Sequence, residues 1–163
     1  MKKAHISHLP LVFATVSCLL CSAIAADNKF PPAMNGSWSG DAKIIVTWCK
    51  QEKLPLQLTI RNDGTVSGRI GDAVLKDGKL ARNRGWIRRK LNIKTDYIIT
   101  GRMVGEVVAA EKIARNSVSM PINFQNGQIT GGLHTNGSKA GGKSAMKLSA
   151  SDLKLERPKK TKP

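Results

Sequence analysis

One short phrase constrains the fold of this chain more than any other feature: an apolar residue, Ser or Thr, Gly, any residue, then another apolar residue. It occurs as Val66-Ser67-Gly68-Arg69-Ile70, as Ile99-Thr100-Gly101-Arg102-Met103 and as Ile129-Thr130-Gly131-Gly132-Leu133. Two copies follow a turn pair, Asp63-Gly64 and Asn126-Gly127. Such pairs supply the positive φ of tight hairpin turns, and a glycine inside a strand permits a bend or bulge. A chain that repeats this unit is built for antiparallel strands.

Hydrophobic alternation extends the pattern. Ala42, Ile44, Val46 and Trp48 alternate with Lys43 and Thr47, interrupted by Ile45, and predict a first long strand. Leu54 to Arg61 alternates at period two, with Pro55 marking a strand start or an edge. Asp63-Gly64 hands the chain to a strand over 65–75, and Lys76-Asp77-Gly78-Lys79 predicts another reversal into Leu80. Further strands are expected over 97–104, over 118–124 with Pro121 on the outer face, and over 128–135. Met146, Leu148 and Ala150, then Leu153 and Leu155, complete the apolar series. Trp86 to Ile93 reads equally as strand or helical turn, and 107–116 reads as a short helix or a loop. About eight short strands in roughly 120 residues predict an all-β fold, a small antiparallel barrel or sandwich with room for one short helix. A threefold phrase would also suit a β-trefoil, but the spacings from Ser67 to Thr100 and from Thr100 to Thr130 are short for one.

Gly36-Ser37-Trp38, at the start of the first strand, resembles the Gly-x-Trp opening of calycins, the barrel superfamily of lipocalins, avidins and fatty-acid-binding proteins. Arg157, near the end of the last strand, matches the basic residue that packs on that Trp. The resemblance covers these residues alone. It implies a barrel in which Trp38 and Arg157 serve closure rather than ligand contact, and it brings in a small apolar ligand as an alternative.

The first 25 residues read as a signal peptide. Lys2 and Lys3 precede an apolar run from Leu9 to Ile24, and Ala23-Ile24-Ala25 supplies the small residues of a cleavage site. A lipoprotein alternative attaches to Cys18 and Cys21, but Thr15 stands where a Leu is usual and Leu20 precedes Cys21. The organisation expected is a signal peptide over 1–25, an irregular lead-in over 26–35, one β domain over 36–157 and a basic disordered tail over 158–163. The location expected is the periplasm or the extracellular space. Losing Lys2 and Lys3 lowers the net charge from +16 to +14 and leaves Cys49 as the sole cysteine. One cysteine makes no internal disulfide, so Cys49 is expected as a small buried hydrophobe at a strand end.

So large a positive charge favours acidic partners: lipopolysaccharide, anionic phospholipid heads, acidic glycans or released nucleic acid. Its densest expression is Arg82-Asn83-Arg84-Gly85-Trp86-Ile87-Arg88-Arg89-Lys90, where five of nine residues are cationic around one Trp. Guanidinium groups pair bidentately with phosphate or sulfate while the indole packs on a sugar or acyl boundary. The candidate ligand-binding residues are therefore Arg82, Arg84, Trp86, Arg88, Arg89 and Lys90, joined by Lys139 and Lys143. The bland counterpart is a solvated edge that blocks strand-to-strand aggregation. Nucleic acid is disfavoured because aromatics for stacking are few and no reading helix is expected.

No catalytic set emerges. Gly137 to Ser144 spells the phosphate-loop pattern G-x-x-x-x-G-K-S, but Ala145 to Ser149 alternates like a strand where that loop requires a helix. Cys49 and His134, the last histidine, form at most a minimal nucleophile and base, and they fall short of a zinc set. Asp72 and Glu106 each follow a Gly just after a repeated phrase, a pattern of shared turn structure rather than acid-base pairing. The function expected is an exported, non-enzymatic binding domain without cofactor. The alternatives are a barrel around a small apolar ligand, an inhibitor of a secreted enzyme, or an envelope hydrolase.

Overall fold

In the computed structural model, residues 30–83, 95–137 and 146–158 are described. Among these residues nine strands form: β1 (Gly36–Ile44), β2 (Lys53–Ile60), β3 (Thr65–Ile70), β4 (Ala73–Arg82), β5 (Tyr97–Val104), the short β6 (Glu106–Val108), β7 (Ile113–Gln125), β8 (Gln128–Gly137) and β9 (Leu148–Glu156). Each of eight strands pairs antiparallel with its neighbours in the order β1-β2-β3-β4-β5-β7-β8-β9. Pairings of β5 with β7 and of β9 with β1 close the ring. The fold is an all-β, eight-stranded antiparallel barrel, with β6 attached to the start of β7. Closure removes the open edges that would otherwise template aggregation.

Inward positions are mostly apolar. Trp38, Leu54, Leu56, Leu58, Ile60, Ile70, Ile99, Met120, Ile122, Leu133 and Leu155 are all buried in one continuous cluster. An eight-stranded barrel is narrow enough for side chains of this size to fill.

The repeated phrase marks bulges. In β4, Asp77 adopts φ +53°, and the registers with β3 and β5 both slip around it. In β9, Asp152 adopts φ +52°, and the registers with β1 and β8 slip there. Gly68, Gly101 and Gly131 lie at these slips. At Gly68, with φ +146°, a Cβ would come within 2.0 Å of the Gln57 carbonyl oxygen, so the strand crossing itself demands glycine.

The structure revises several sequence expectations. Asp77-Gly78 is a bulge inside an unbroken β4, and the reversal lies earlier, at Gly71-Asp72, where Gly71 takes φ +58°. One positive-φ residue, Asp77, serves a bulge as readily as a hairpin, and with the reversal at Gly71-Asp72 the strand expected over 65–75 is two strands. The first strand spans Gly36–Ile44 rather than running on through Trp48. Ile45 is 54% exposed, and Cys49 N–H bonds to the Val46 carbonyl in a turn. The stretch 107–116, read as a short helix or a loop, holds a 3-10 turn, Ala109–Glu111, between the end of β6 and the start of β7.

The barrel has two differently closed ends. At one, a strap formed by residues 30–35 crosses the opening. Its 3-10 turn, Pro32–Met34, buries Met34 completely. Trp38 Nε1 donates to the Met34 carbonyl at 2.9 Å, and Phe124 meets the indole edge-on at 5.9 Å. The Arg157 guanidinium lies 5.2 Å from the Trp38 ring centre and donates to the Ala33 and Asn35 carbonyls at 2.8 and 2.9 Å. Gly36 has φ +128°, and a Cβ there would stand 3.3 Å from that guanidinium. These contacts explain why Gly, Trp and a distant Arg belong together.

At the other end, the β1–β2 connection and the β6 insert form a cap. Val107 and Val108 of β6 and Ile113 at the start of β7 are buried there, and Asp72 N–H donates to the Val107 carbonyl at 3.3 Å.

Candidate anion-binding surface

Arg82 is exposed at the strap end of β4, directly opposite Tyr97 at the start of β5. The connection between these strands is tied at its base. Asn83 Nδ2 donates to Thr95 Oγ1 at 2.7 Å, Asn83 N–H donates to the Asp96 carbonyl at 2.9 Å, and Asp96 N–H donates to Asn123 Oδ1 at 2.9 Å. Arg84, Trp86, Arg88, Arg89 and Lys90 lie outside the described residues, as do Lys139 and Lys143. The strand ends that flank the two groups sit at opposite ends of the barrel: Arg82 and Tyr97 at the strap, Gly137 and Leu148 at the cap.

Charge is unevenly divided along the chain. The described residues hold 14 Lys and Arg against 10 Asp and Glu. Residues 84–94 add five cations, 138–145 two and 159–163 three, with no acid among them. Ten of the chain's sixteen net positive charges therefore belong to three short segments.

The remaining candidates separate from one another. Cys49 is buried under the cap, with Sγ 3.5 Å from Glu111 Oε1, which also accepts from Lys50 N–H at 2.6 Å. His134 is exposed on the outer face of β8, with Nδ1 3.0 Å from Ser149 Oγ. Asp72 contributes main chain: its carbonyl accepts from Arg69 Nη2 at 3.1 Å. The carboxylate that does order a turn is Asp63, which accepts from Thr65 N–H at 2.8 Å and from Thr65 Oγ1 at 2.9 Å; the Thr65 amide and then its hydroxyl hold its pKa below the ordinary value. Beyond the phosphate-loop match at 137–144 comes β9, a strand and not a helix. No group of three metal-ligating side chains occurs among the described residues.

Sequence reading missed Arg115. It is 1% exposed, its guanidinium lies 5.5 Å from the Trp48 ring centre, and burial pushes its pKa down while the neighbouring Cys49 pushes it back up. The Trp48–Arg115 stack, with Glu111 between Cys49 and Lys50, ties the cap together.

No helix among the described residues is long and apolar enough to cross a membrane. Comparison with known proteins finds no family model that matches this chain and no curated protein or solved structure similar to it.

Proposed function

We propose that this chain is an exported, non-enzymatic binding protein that engages an anionic component of the envelope or extracellular space through a basic surface. The observation that carries the reading is the division of charge: a nearly balanced barrel bears segments that are purely cationic. A rigid closed barrel is a suitable support, because loops tied to it are positioned without the barrel taking part in binding. Clustered cations on such segments raise both the rate and the affinity of association with polyanionic surfaces.

The test is binding of the mature chain to anionic and neutral lipid or glycan surfaces across a salt series, beside a variant carrying Arg88→Gln, Arg89→Gln and Lys90→Gln. Tight binding that falls steeply with salt and weakens in the variant supports the reading; indifference to surface charge ends it.

A second reading is a calycin-like barrel that holds a small apolar ligand. It draws on the closed ring and on the Gly36, Trp38 and Arg157 arrangement at the strap. A guest would share the interior with Leu56, Leu58, Met120 and Ile122, which already form a continuous cluster. This reading expects an apolar ligand to raise the melting temperature with concentration.

A further inference from the structure

The outer walls of the barrel differ in charge. On β7 and β8 the outward side chains include Ser119, Pro121, Asn123, Thr130, His134 and Asn136, and the one Lys or Arg on these strands, Arg115, is buried. On β1, β2 and β9 the acids Asp41, Asp152 and Glu156 balance Lys43, Lys53 and Lys154, with ion pairs of 3.5 Å between Lys53 and Asp41 and 3.1 Å between Lys154 and Glu156. On β3, β4 and β5 the outward side chains include Arg69, Lys76, Lys79 and Arg102, all exposed, against the single acid Asp77, which pairs with Arg102 at 3.1 Å.

This third wall is assembled at a cost. Lys76 and Arg102 are direct cross-strand partners, and like charges facing each other destabilise a sheet. The bulge at Asp77 creates the arrangement. At regular period two, Lys76 and Lys79, three positions apart, would point to opposite faces, whereas across this bulge Leu75, Gly78 and Leu80 are buried and both lysines are outside. Arg82, exposed at the strap end of β4 on the parity of buried Leu80, lies beyond this outer lane, and the most cationic connection of the chain follows it in sequence.

From this wall we infer that the protein binds an extended acidic polysaccharide laid along β3, β4 and β5. The inference rests on the proposed function and names its ligand class and a further contact surface. Neighbouring strands place cations about 5 Å apart, and alternate residues on one strand about 7 Å apart, a grid that a chain with an acidic group on successive sugars can follow. Between the cations stand hydroxyls of Thr65, Ser67 and Thr100, partners for sugar hydroxyls. Val74 and Val104, cross-strand partners 37% and 50% exposed, offer an apolar step to the C–H face of a ring. Single-stranded nucleic acid fits less well, since the wall offers no exposed aromatic for base stacking: Tyr97, at its end, is partly buried and packed 6.2 Å from Phe30.

The experiment measures binding of the mature protein to polygalacturonate, neutral dextran, a single-stranded oligonucleotide and anionic phospholipid vesicles across a salt series. The variants are Lys76→Gln with Lys79→Gln, a separate Arg69→Gln, the Arg88, Arg89 and Lys90 triple variant, and His134→Gln as a control on the uncharged wall. A thermal melt confirms that each is folded. Expected are binding to polygalacturonate and not to dextran, a loss of about tenfold in the double lysine variant with its salt slope lowered by about two, a smaller loss for Arg69→Gln, and no change for His134→Gln. Undiminished affinity and slope in both wall variants, with loss in the triple variant, overturns the wall and leaves the proposed function standing. Binding to vesicles or oligonucleotide but not to polygalacturonate overturns the polysaccharide. Binding to none of the anionic probes overturns both.

Discussion

Each end of the barrel is held by an arginine lying on a tryptophan, yet the two devices work in opposite environments. At the strap, Trp38 is buried and Arg157 is exposed, with its charge shared between solvent and two carbonyls. At the cap the burial is reversed: Arg115 is 1% exposed and Trp48 is only partly covered. An exposed guanidinium over a buried ring adds hydrogen bonds at little desolvation cost, whereas a buried guanidinium is taken out of water and must be compensated by its surroundings. The strap should therefore derive its strength from the tryptophan, and the cap from packing around the arginine stem.

The largest effect is expected at Trp38. Trp38→Ala removes a fully buried aromatic that also bonds the strap through Met34, and should cost about 3–5 kcal/mol in urea denaturation. Trp48→Ala, at a partly covered site, should cost less than half as much. Equal losses would mean that the ends are equivalent and the contrast is false.

Next in size is Arg115. Arg115→Ala should destabilise by about 2–3 kcal/mol through lost packing. Arg115→Met keeps most of the volume and removes the desolvated charge, so it should cost less than about 1.5 kcal/mol or even stabilise. If Met proves as costly as Ala, the charge itself holds the cap, and the comparison must be redrawn around Glu111 and Cys49.

The strap was readable in the chain and the cap was not, for a physical reason. Gly36-x-Trp38 is a local phrase, and Arg157 is a cation at the close of an alternating strand. Arg115 is hidden by parity. Val118, Met120 and Ile122 face inward, so simple alternation sends residue 115 outward. A register slip between Arg115 and Ser117 reverses the phase and turns the arginine inside. The same effect concealed the basic wall, because Lys76 and Lys79 have opposite parity until the Asp77 bulge aligns them. Strands, turns and the inward apolar set follow from period-two patterning. Bulges do not, since an Asp-Gly or a lone Gly looks the same in a turn and in a bulge.

Smaller effects sharpen the strap alone. Arg157→Gln removes an exposed cation–π contact and weakens two hydrogen bonds, for an expected loss of about 1 kcal/mol. Gly36→Ala forces a side chain into a positive-φ position beside the same guanidinium and should cost at least as much. In the double variant the two losses should sum to less than their separate values, since both act on one contact. Strict additivity would show that Gly36 answers only to its own backbone.

The smallest difference separates the ends by pH. Asp63, in the strap-end turn between β2 and β3, is stabilised as a carboxylate by the Thr65 amide and hydroxyl, which hold its pKa below the ordinary value of 3.8. A lowered folded-state pKa means that its contribution is complete above that ordinary value and is lost as the pH falls through the folded one. Asp63→Ala should therefore differ from the unaltered protein in melting temperature at pH 6 and converge on it as the pH falls well below that ordinary value. Arg115 keeps its proton throughout that window, so the difference made by Arg115→Met should stay constant across it. A pH-independent Asp63→Ala effect would assign the turn's stability to backbone conformation. A pH-dependent Arg115→Met effect would reveal that acid groups around the cap, Glu111 first, are coupled to the buried guanidinium.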